Sequence, residues 1–480
     1  MTYRTAKEHT LNFWQIWNLS FGFLGVQFGW TLQMANMSAI YEYLGATPEQ
    51  IPMLWLAAPV SGLIAQPIVG YFSDRTHTPL GRRKPYILAG ALLSSLALIA
   101  MPNVSSLWMA AGLLWILDTS INLTTEPFRA FLADRASNEA ERTRTFTMQA
   151  FFIGLGAVLA AACPWLLWRY CPDPLPGTIP LAVKLSFYVG AAFFTGAVLW
   201  TILRTPHQPC RGGVSPPSVR PEDKSRIIQQ AAGSGSLTPT QKSSPLSKGS
   251  RGDTPWYAEL WQTLRQTPVR MRQLAGVQFF TWLGMFCVFL YLPPAIARQI
   301  FGATTETEPL YHYGIAWAGV CIATYNISCF VTSWLLPRFT ELVSRKGAYA
   351  FCLCCGGSSL ISLFWMRDPY LILLPMLGFG VAWAGILSLP YSLVAEVLPR
   401  QHTGIYMGLF NACIVIPQIV AALSLGWIMR HWLGSEHLLV VVLGGVFFLC
   451  GAIAVQIIEE DAPNLSLDSA NLSLESTTML

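Results

Sequence analysis

Read with a window of about 20 residues, the length that crosses the hydrocarbon core of a bilayer, the chain resolves into twelve apolar runs. They lie at approximately 13–36, 51–73, 85–102, 107–132, 146–168, 182–203, 272–294, 314–336, 348–366, 369–396, 404–429 and 437–458. Each predicts a transmembrane helix. Between the sixth and seventh the pattern stops: from about Thr205 to Pro255 the chain is rich in Ser, Gly, Pro, Lys and Arg with little to bury, which predicts a disordered linker. After it, Trp256, Leu260, Trp261 and Leu264 share one helical face with Tyr257 beside them, which fits either a short helix in the membrane interface or an ordinary loop helix. The expected organisation is a six-helix bundle at 1–204, a cytoplasmic linker at 205–270, a second six-helix bundle at 271–458 and a tail at 459–480.

Composition agrees with that pattern. Of the 480 residues 53% are apolar and only 11% charged, against about 25% charged in a soluble domain, and mean hydropathy is +0.44. The lipid bilayer is the expected partner, with no nucleic acid despite the net charge of +5, because the basic residues lie between apolar runs. Their placement orients the chain: 24 of the 30 Lys and Arg fall on the side that holds both termini, 5 on the other, and Arg129 lies inside the fourth run. By the positive-inside rule the termini are cytoplasmic and the protein sits, multi-pass, in the plasma membrane (a bacterial inner membrane). Arg4 and Lys7 lead straight into a full-length span with no small-residue cleavage site, so no removable signal is expected. The repeated NLSL of the tail, at 464–467 and 471–474, falls on the wrong side for glycosylation. The eleven cysteines lie mostly within apolar runs and read as packing; Cys352, Cys354 and Cys355 have no nearby His or carboxylate for a metal, while Cys163 and Cys171 are close enough in sequence to meet near the outer face.

The fourth run is the exception to its own hydropathy. It carries Asp118, Glu126 and Arg129, and a charge at membrane depth costs at least about 2.5–3.5 kcal/mol even on the lenient insertion scale. Such groups are explained by moving a proton or a polar solute. Desolvation favours the neutral form of a carboxyl group, so an isolated acid can load on one side and discharge on the other, whereas Arg stays charged and needs a carboxylate. Asp118 and Arg129 are eleven residues apart, on one face but separated by roughly 16.5 Å on a straight helix. Glu126, three residues before Arg129, can pair with it directly, and Pro127 is placed to kink the helix and shorten the gap.

The loop after the second run reads GYFSDRTHTPLGRRKP, from Gly70 to Pro85. A basic loop is what orientation alone requires. Its order, Gly70, then Asp74-Arg75, then Gly81-Arg82-Arg83, resembles the cytoplasmic signature of the major facilitator superfamily, lengthened here by THTPL. In that superfamily the loop's ion pairs latch the cytoplasmic helix ends in one state; Gly70 would let helices approach closely, and Asp74 would face Arg75, Arg82, Arg83 and Lys84. The second half repeats the loop faintly, with Arg338, Glu341, Arg345 and Lys346, and LPYSLVAEV of the tenth run echoes EPFRAFLAD of the fourth. Weak self-similarity of two six-span halves is the mark of a transporter with its site at the midplane.

The stretches from Gly25 to Arg75, with GRRKP, WILD, PFRAFLAD and NACIVIPQIV (411–420), are similar to plant sucrose transporters and related sugar–proton symporters of the glycoside–pentoside–hexuronide group. The resemblance implies an all-α membrane protein of twelve transmembrane helices in two pseudo-symmetric six-helix bundles. It implies proton-coupled uptake of a disaccharide, sucrose first and maltose next, by alternating access. It places the coupling proton on Asp118 and an essential Arg at Arg129; Glu126 departs from the plant pattern and leaves open what releases Arg129. Sugar recognition needs hydrogen-bonding groups and aromatic faces in a mostly apolar cavity. The candidates are Gln27, Gln33, Asn36, Gln66, Asn122, Gln278 and Asn411, with Trp30 and Trp282 for stacking; Trp108 and Trp115 read as lipid-facing. Neither a phosphate loop, a His-Glu-x-x-His pair nor a Gly-x-Ser-x-Gly elbow is present, so neither an ATP-driven pump nor an enzyme is expected, and no cofactor. A monosaccharide or glucoside carrier, a sugar exporter and a non-transporting sensor remain alternatives, and a monomer is expected.

Overall fold

A computed structural model describes residues 11–76, 78–135, 139–168, 170–171, 179–205, 267, 269–395 and 403–458. Within this set the side chains of Pro67, Tyr71, Asp74, Arg75 and several residues near 139–143, 394–395 and 403–409 are also outside the description. The central linker, its aromatic face at Trp256–Leu264 and the NLSL tail fall outside it. Residues 11–205 and 267–458 belong to one compact unit.

Among the described residues every element is helical. The first half holds α1 (Phe13–Ser20), α2 (Gly22–Tyr43), the short α3 (Ile51–Leu54), α4 (Ala57–Arg75), α5 (Lys84–Ala100), α6 (Leu107–Arg135), α7 (Glu139–Trp168) and α8 (Leu181–Arg204). The second holds α9 (Val269–Ala295), α10 (Pro309–Val343), α11 (Arg345–Ser362), α12 (Leu373–Ala395), α13 (Thr403–Trp432) and α14 (His437–Val455). Eleven spans are long and apolar enough to cross a membrane. The twelfth, α1 with α2, carries Gln27, Gln33 and Asn36 and so loses hydropathy. It also runs on to Tyr43, past the predicted end at 36, which carries Glu42 into the helix.

The break between α1 and α2 has a local cause. The Thr201 hydroxyl donates to Asn18 O at 2.8 Å and accepts from Gly22 N at 2.9 Å, standing in for the ladder bond between those two residues. A side chain inserted in the ladder is a recognised source of a kink.

The two halves repeat one packing plan. The first and sixth spans pack (α2 on α8), as do the seventh and twelfth (α9 on α14). The pairs α2–α7, α4–α6, α5–α6 and α5–α8 recur as α9–α13, α10–α12, α11–α12 and α11–α14. Across the halves, α4 meets α13 and α7 meets α10, equivalent under the same exchange. Small residues allow it: a Cβ added to Gly284 would lie 2.7 Å from Gly444 O, and one on Gly357 2.8 Å from Gly445 O.

Two lysines repeat as well. Lys84, buried at the start of α5, donates to Ile202 O at 3.1 Å and Thr205 O at 2.8 Å, at the end of α8. Lys346, opening α11, donates to Gln456 O at 2.7 Å and Ile458 O at 2.8 Å, beyond α14. Each cation closes the carbonyl end of the last helix of its half. This corrects the expectation that Lys84 joins the loop cluster: its ammonium is taken up by the end of α8.

Candidate functional site

Hydrogen bonds between the halves gather, among the described residues, at the face opposite the termini, here the distal face. They include Tyr291 to Pro48 O at 2.7 Å and His312 Nδ1 with Tyr43 OH at 2.9 Å. Below that seal the polar candidates divide into groups.

Asp118 lies on α6 at 4% exposure. Its Oδ1 accepts from Gln33 Nε2 at 2.8 Å, and among the described residues Gln33 is its one side-chain partner. Asp118 Oδ2 and Gln33 Oε1 are both buried without a hydrogen bond. Gln33 thus sits against the acid, tying the first span to the fourth. Burial forces this choice, because a carboxyl in an apolar bundle and a fully buried amide each need a polar partner and α2 offers Gln33 opposite α6.

One turn on, Asn122 begins a chain of amides. Its Nδ2 donates to Asp118 O at 2.9 Å and to Ser61 Oγ at 3.4 Å, and its Oδ1 accepts from Gln66 Nε2 at 3.0 Å. Gln66 Oε1 accepts from Asn411 Nδ2 at 3.3 Å, so the chain crosses from α4 and α6 to α13 of the other half. Amides that donate and accept at once suit hydroxyl-rich solutes.

An aromatic row spans the same divide. Trp30 meets Phe289 edge-on at 6.0 Å, Phe289 meets Trp383 at 5.8 Å, and Trp383 meets Trp282 at 6.2 Å. The Trp282 Nε1–H is buried without an acceptor. Phe289, Trp383 and Ser61 escaped the sequence reading: two are common apolar types in apolar spans, and a serine in a helix signals nothing alone.

The remaining candidates are placed elsewhere. Gln27 donates to Thr31 Oγ1 at 3.2 Å on its own helix, Asn36 to Leu32 O at 2.9 Å, and the fully buried Gln278 accepts from Tyr349 at 3.1 Å inside the second half. Glu126 and Arg129 pair at 2.9 Å, but their side chains are 26% and 51% exposed. The helix continues through Pro127. The pair does not lie in a dry interior, so the cost expected of an interior charge falls on Asp118.

At the face of the termini, Gly81 adopts φ +94°, a left-handed turn that glycine takes without strain. The turn presents Arg82, 2.7 Å from Asp134, and Arg83, 3.4 Å from Asp134 and 2.7 Å from Ser73 Oγ. Asp134, the acid closing PFRAFLAD, is therefore a partner of the loop. Asp74 and Arg75 have side chains outside the description. Nothing lies within 4 Å of a Cβ built on Gly70. The expected close approach is therefore absent at that position among the described residues. Cys163 and Cys171 are free thiols.

Residues 19–422 match the Major Facilitator Superfamily. The chain belongs to that superfamily. It is a multi-pass membrane transport protein and not an enzyme. Sucrose transport protein SUT5 of Oryza sativa subsp. indica is 23% identical over 491 residues, covering 90% of this chain and 85% of that protein. Sucrose transport protein SUC4 of Arabidopsis thaliana is 24% identical over 476 residues, covering 90% and 87%. Among solved structures, the nucleoside transporter NupG (D323A mutant) superposes with a TM-score of 0.66 at 13% identity, covering 93% of this chain and 99% of its own. A bacterial homolog of the human lysosomal transporter Spinster gives 0.61 at 12%, covering 93% and 98%. These confirm the twelve-helix fold of two pseudo-symmetric bundles.

Proposed function

We propose that this carrier takes up a disaccharide, sucrose first and maltose next, together with a proton, and that Asp118 holds the proton. The observation that carries the reading is Asp118 itself: a buried acid with one oxygen on Gln33 and, among the described residues, no partner for the other oxygen and no cation beside it. A lone acid in that setting is costly when charged and comfortable when protonated, so its loading biases which way the halves rock. The amide chain Asn122–Gln66–Asn411 supplies donors and acceptors for sugar hydroxyls from both halves, with Gln33 beside them. The row Trp30–Phe289–Trp383–Trp282 supplies an apolar face for a pyranose ring. Two sucrose transport proteins among its relatives support the solute class.

In this reading Glu126 holds Arg129 near the mouth of the cleft until sugar or proton draws it inward. The termini face the cytoplasm of a plasma membrane, following the Lys and Arg asymmetry. A monomer of two rocking halves, 1–204 and 271–458, with linker and tail on the cytoplasmic side, is sufficient for alternating access. Arg82, Arg83 and Asp134, with Asp74 and Arg75, then form the cytoplasmic gate.

The test is uptake of radiolabelled sucrose into proteoliposomes with an imposed pH gradient, for wild type and Asp118→Asn. Wild type accumulates sugar above equilibrium. Asp118→Asn exchanges sugar across the membrane without concentrating it. Accumulation by the variant would overturn the proton assignment, and equilibration without accumulation by wild type would make the protein a facilitator. Sugar binding without transport would make it a sensor. Competition by maltose, trehalose and glucose ranks the solutes.

A further inference from the structure

Glu42, in the last turn of α2, is 1% exposed, and the proposed mechanism leaves it unused. Its donors all come from the other half and from separate elements. Arg298 Nη2 lies 3.0 Å from Oε2, Tyr311 of α10 donates its hydroxyl at 2.6 Å, and His437 of α14 places Nε2 2.8 Å from Oε1. Arg298 sits in a π-helical turn, Ile296–Ile300, that continues α9 after Pro293 and Pro294. Such wide turns aim side chains at functional sites. Its other acid is Glu306, at 3.3 Å.

We propose that Glu42 is a positioning residue of the transport cycle, the pin that holds the distal gate shut. Separating the halves at this face breaks all three bonds together, because each of these donors belongs to the other half. The cluster is therefore intact in the distal-closed state alone. Hydrogen bonds to a buried charge are strong, and removing the acid leaves a half-buried guanidinium short of its partner. The same face is sealed by Tyr43–His312 and Tyr291–Pro48, which share no atom with Glu42. Loss of the acid therefore shifts the balance between states without dissolving the interface. The inference depends on two rocking halves and is independent of which solute is carried.

Hydrogen–deuterium exchange on the full-length protein in nanodiscs tests it through a reciprocal signature. With Glu42→Gln, exchange at the distal segments 37–50 and 433–440 rises about tenfold or more, while exchange at 70–84 and 338–346, on the face of the termini, slows as that side closes. Tyr311→Phe, which removes one hydroxyl, moves both faces in the same directions by less. Unchanged exchange in Glu42→Gln would overturn the proposal. So would faster exchange at both faces, which marks a merely structural acid. Should Glu42→Gln fail to fold, Tyr311→Phe decides by the same two criteria.

Discussion

A methyl group added to Gly319 separates contacts that exist in one state from contacts that exist in both. A Cβ there would lie 2.2 Å from Ala161 O on α7, where side chains essentially never come within 3.0 Å and ordinary contact begins at 3.4 Å. Relief requires α10 and α7 to part by about 1.2 Å, the difference between 3.4 and 2.2 Å. Overpacking of this kind costs about 1–3 kcal/mol. Because the contact crosses the halves within the distal-closed packing, that cost is paid in one state only. It converts into a shift of roughly 5- to 150-fold toward the distal-open state, at 1.4 kcal/mol per tenfold. Gly426→Ala makes the same perturbation against Glu49 O, also at 2.2 Å. Gly90→Ala is the control: its Cβ would meet Thr124 Oγ1 at 2.3 Å and Ser120 O at 2.7 Å, inside the first half. Double electron–electron resonance between spin labels across the distal face reads the populations, and thermal melting reads the stability. Gly319→Ala is expected to enlarge the long-distance fraction with little change in melting, and Gly90→Ala to lower melting without moving the fraction. Equal distance distributions for Gly319→Ala and wild type would refute the reasoning.

Other expectations follow from single contacts. Lys84→Met removes a buried ammonium from two carbonyls and is expected to cost about 2–3 kcal/mol in denaturant unfolding, whereas Lys346→Met, at a more exposed site, costs less; equal costs would deny the role of burial. Gln33→Leu removes the donor to Asp118 and is expected to alter the pH dependence of transport at unchanged expression and monodispersity. An unaltered profile would show that the amide does not tune the acid. At the distal loop, burial alone would raise the Glu49 carboxyl, but hydrogen bonds from Ser435 and Thr47 and the nearby Arg430 outweigh it and hold it below the usual range. Its support for the closed face is present above that range and lost as pH falls through the depressed value. A difference in distal opening between wild type and Glu49→Gln, seen at neutral pH, is therefore expected to shrink on acidification.

Apolar run length and the bias of Lys and Arg determined much by themselves, since a bilayer rewards about 20 apolar residues per crossing whatever the neighbours are. They supplied the twelve spans, the split into two halves and the one span whose acid is out of place, Asp118. Glu126 beside Arg129 was legible because helical spacing alone brings residues three apart together. Long-range pairing decided the rest. Gln33 reads as any polar residue of a span until the fold sets it 2.8 Å from Asp118. Gln66 and Asn411 are 345 positions apart and meet only because α4 packs on α13. Glu42 lay beyond the predicted end of its helix, and its donors at 298, 311 and 437 are scattered through the other half. Sequence spacing carries information about a partner one turn away; a partner across the interface is fixed by how two bundles dock, and docking is a property of whole surfaces rather than of local pattern.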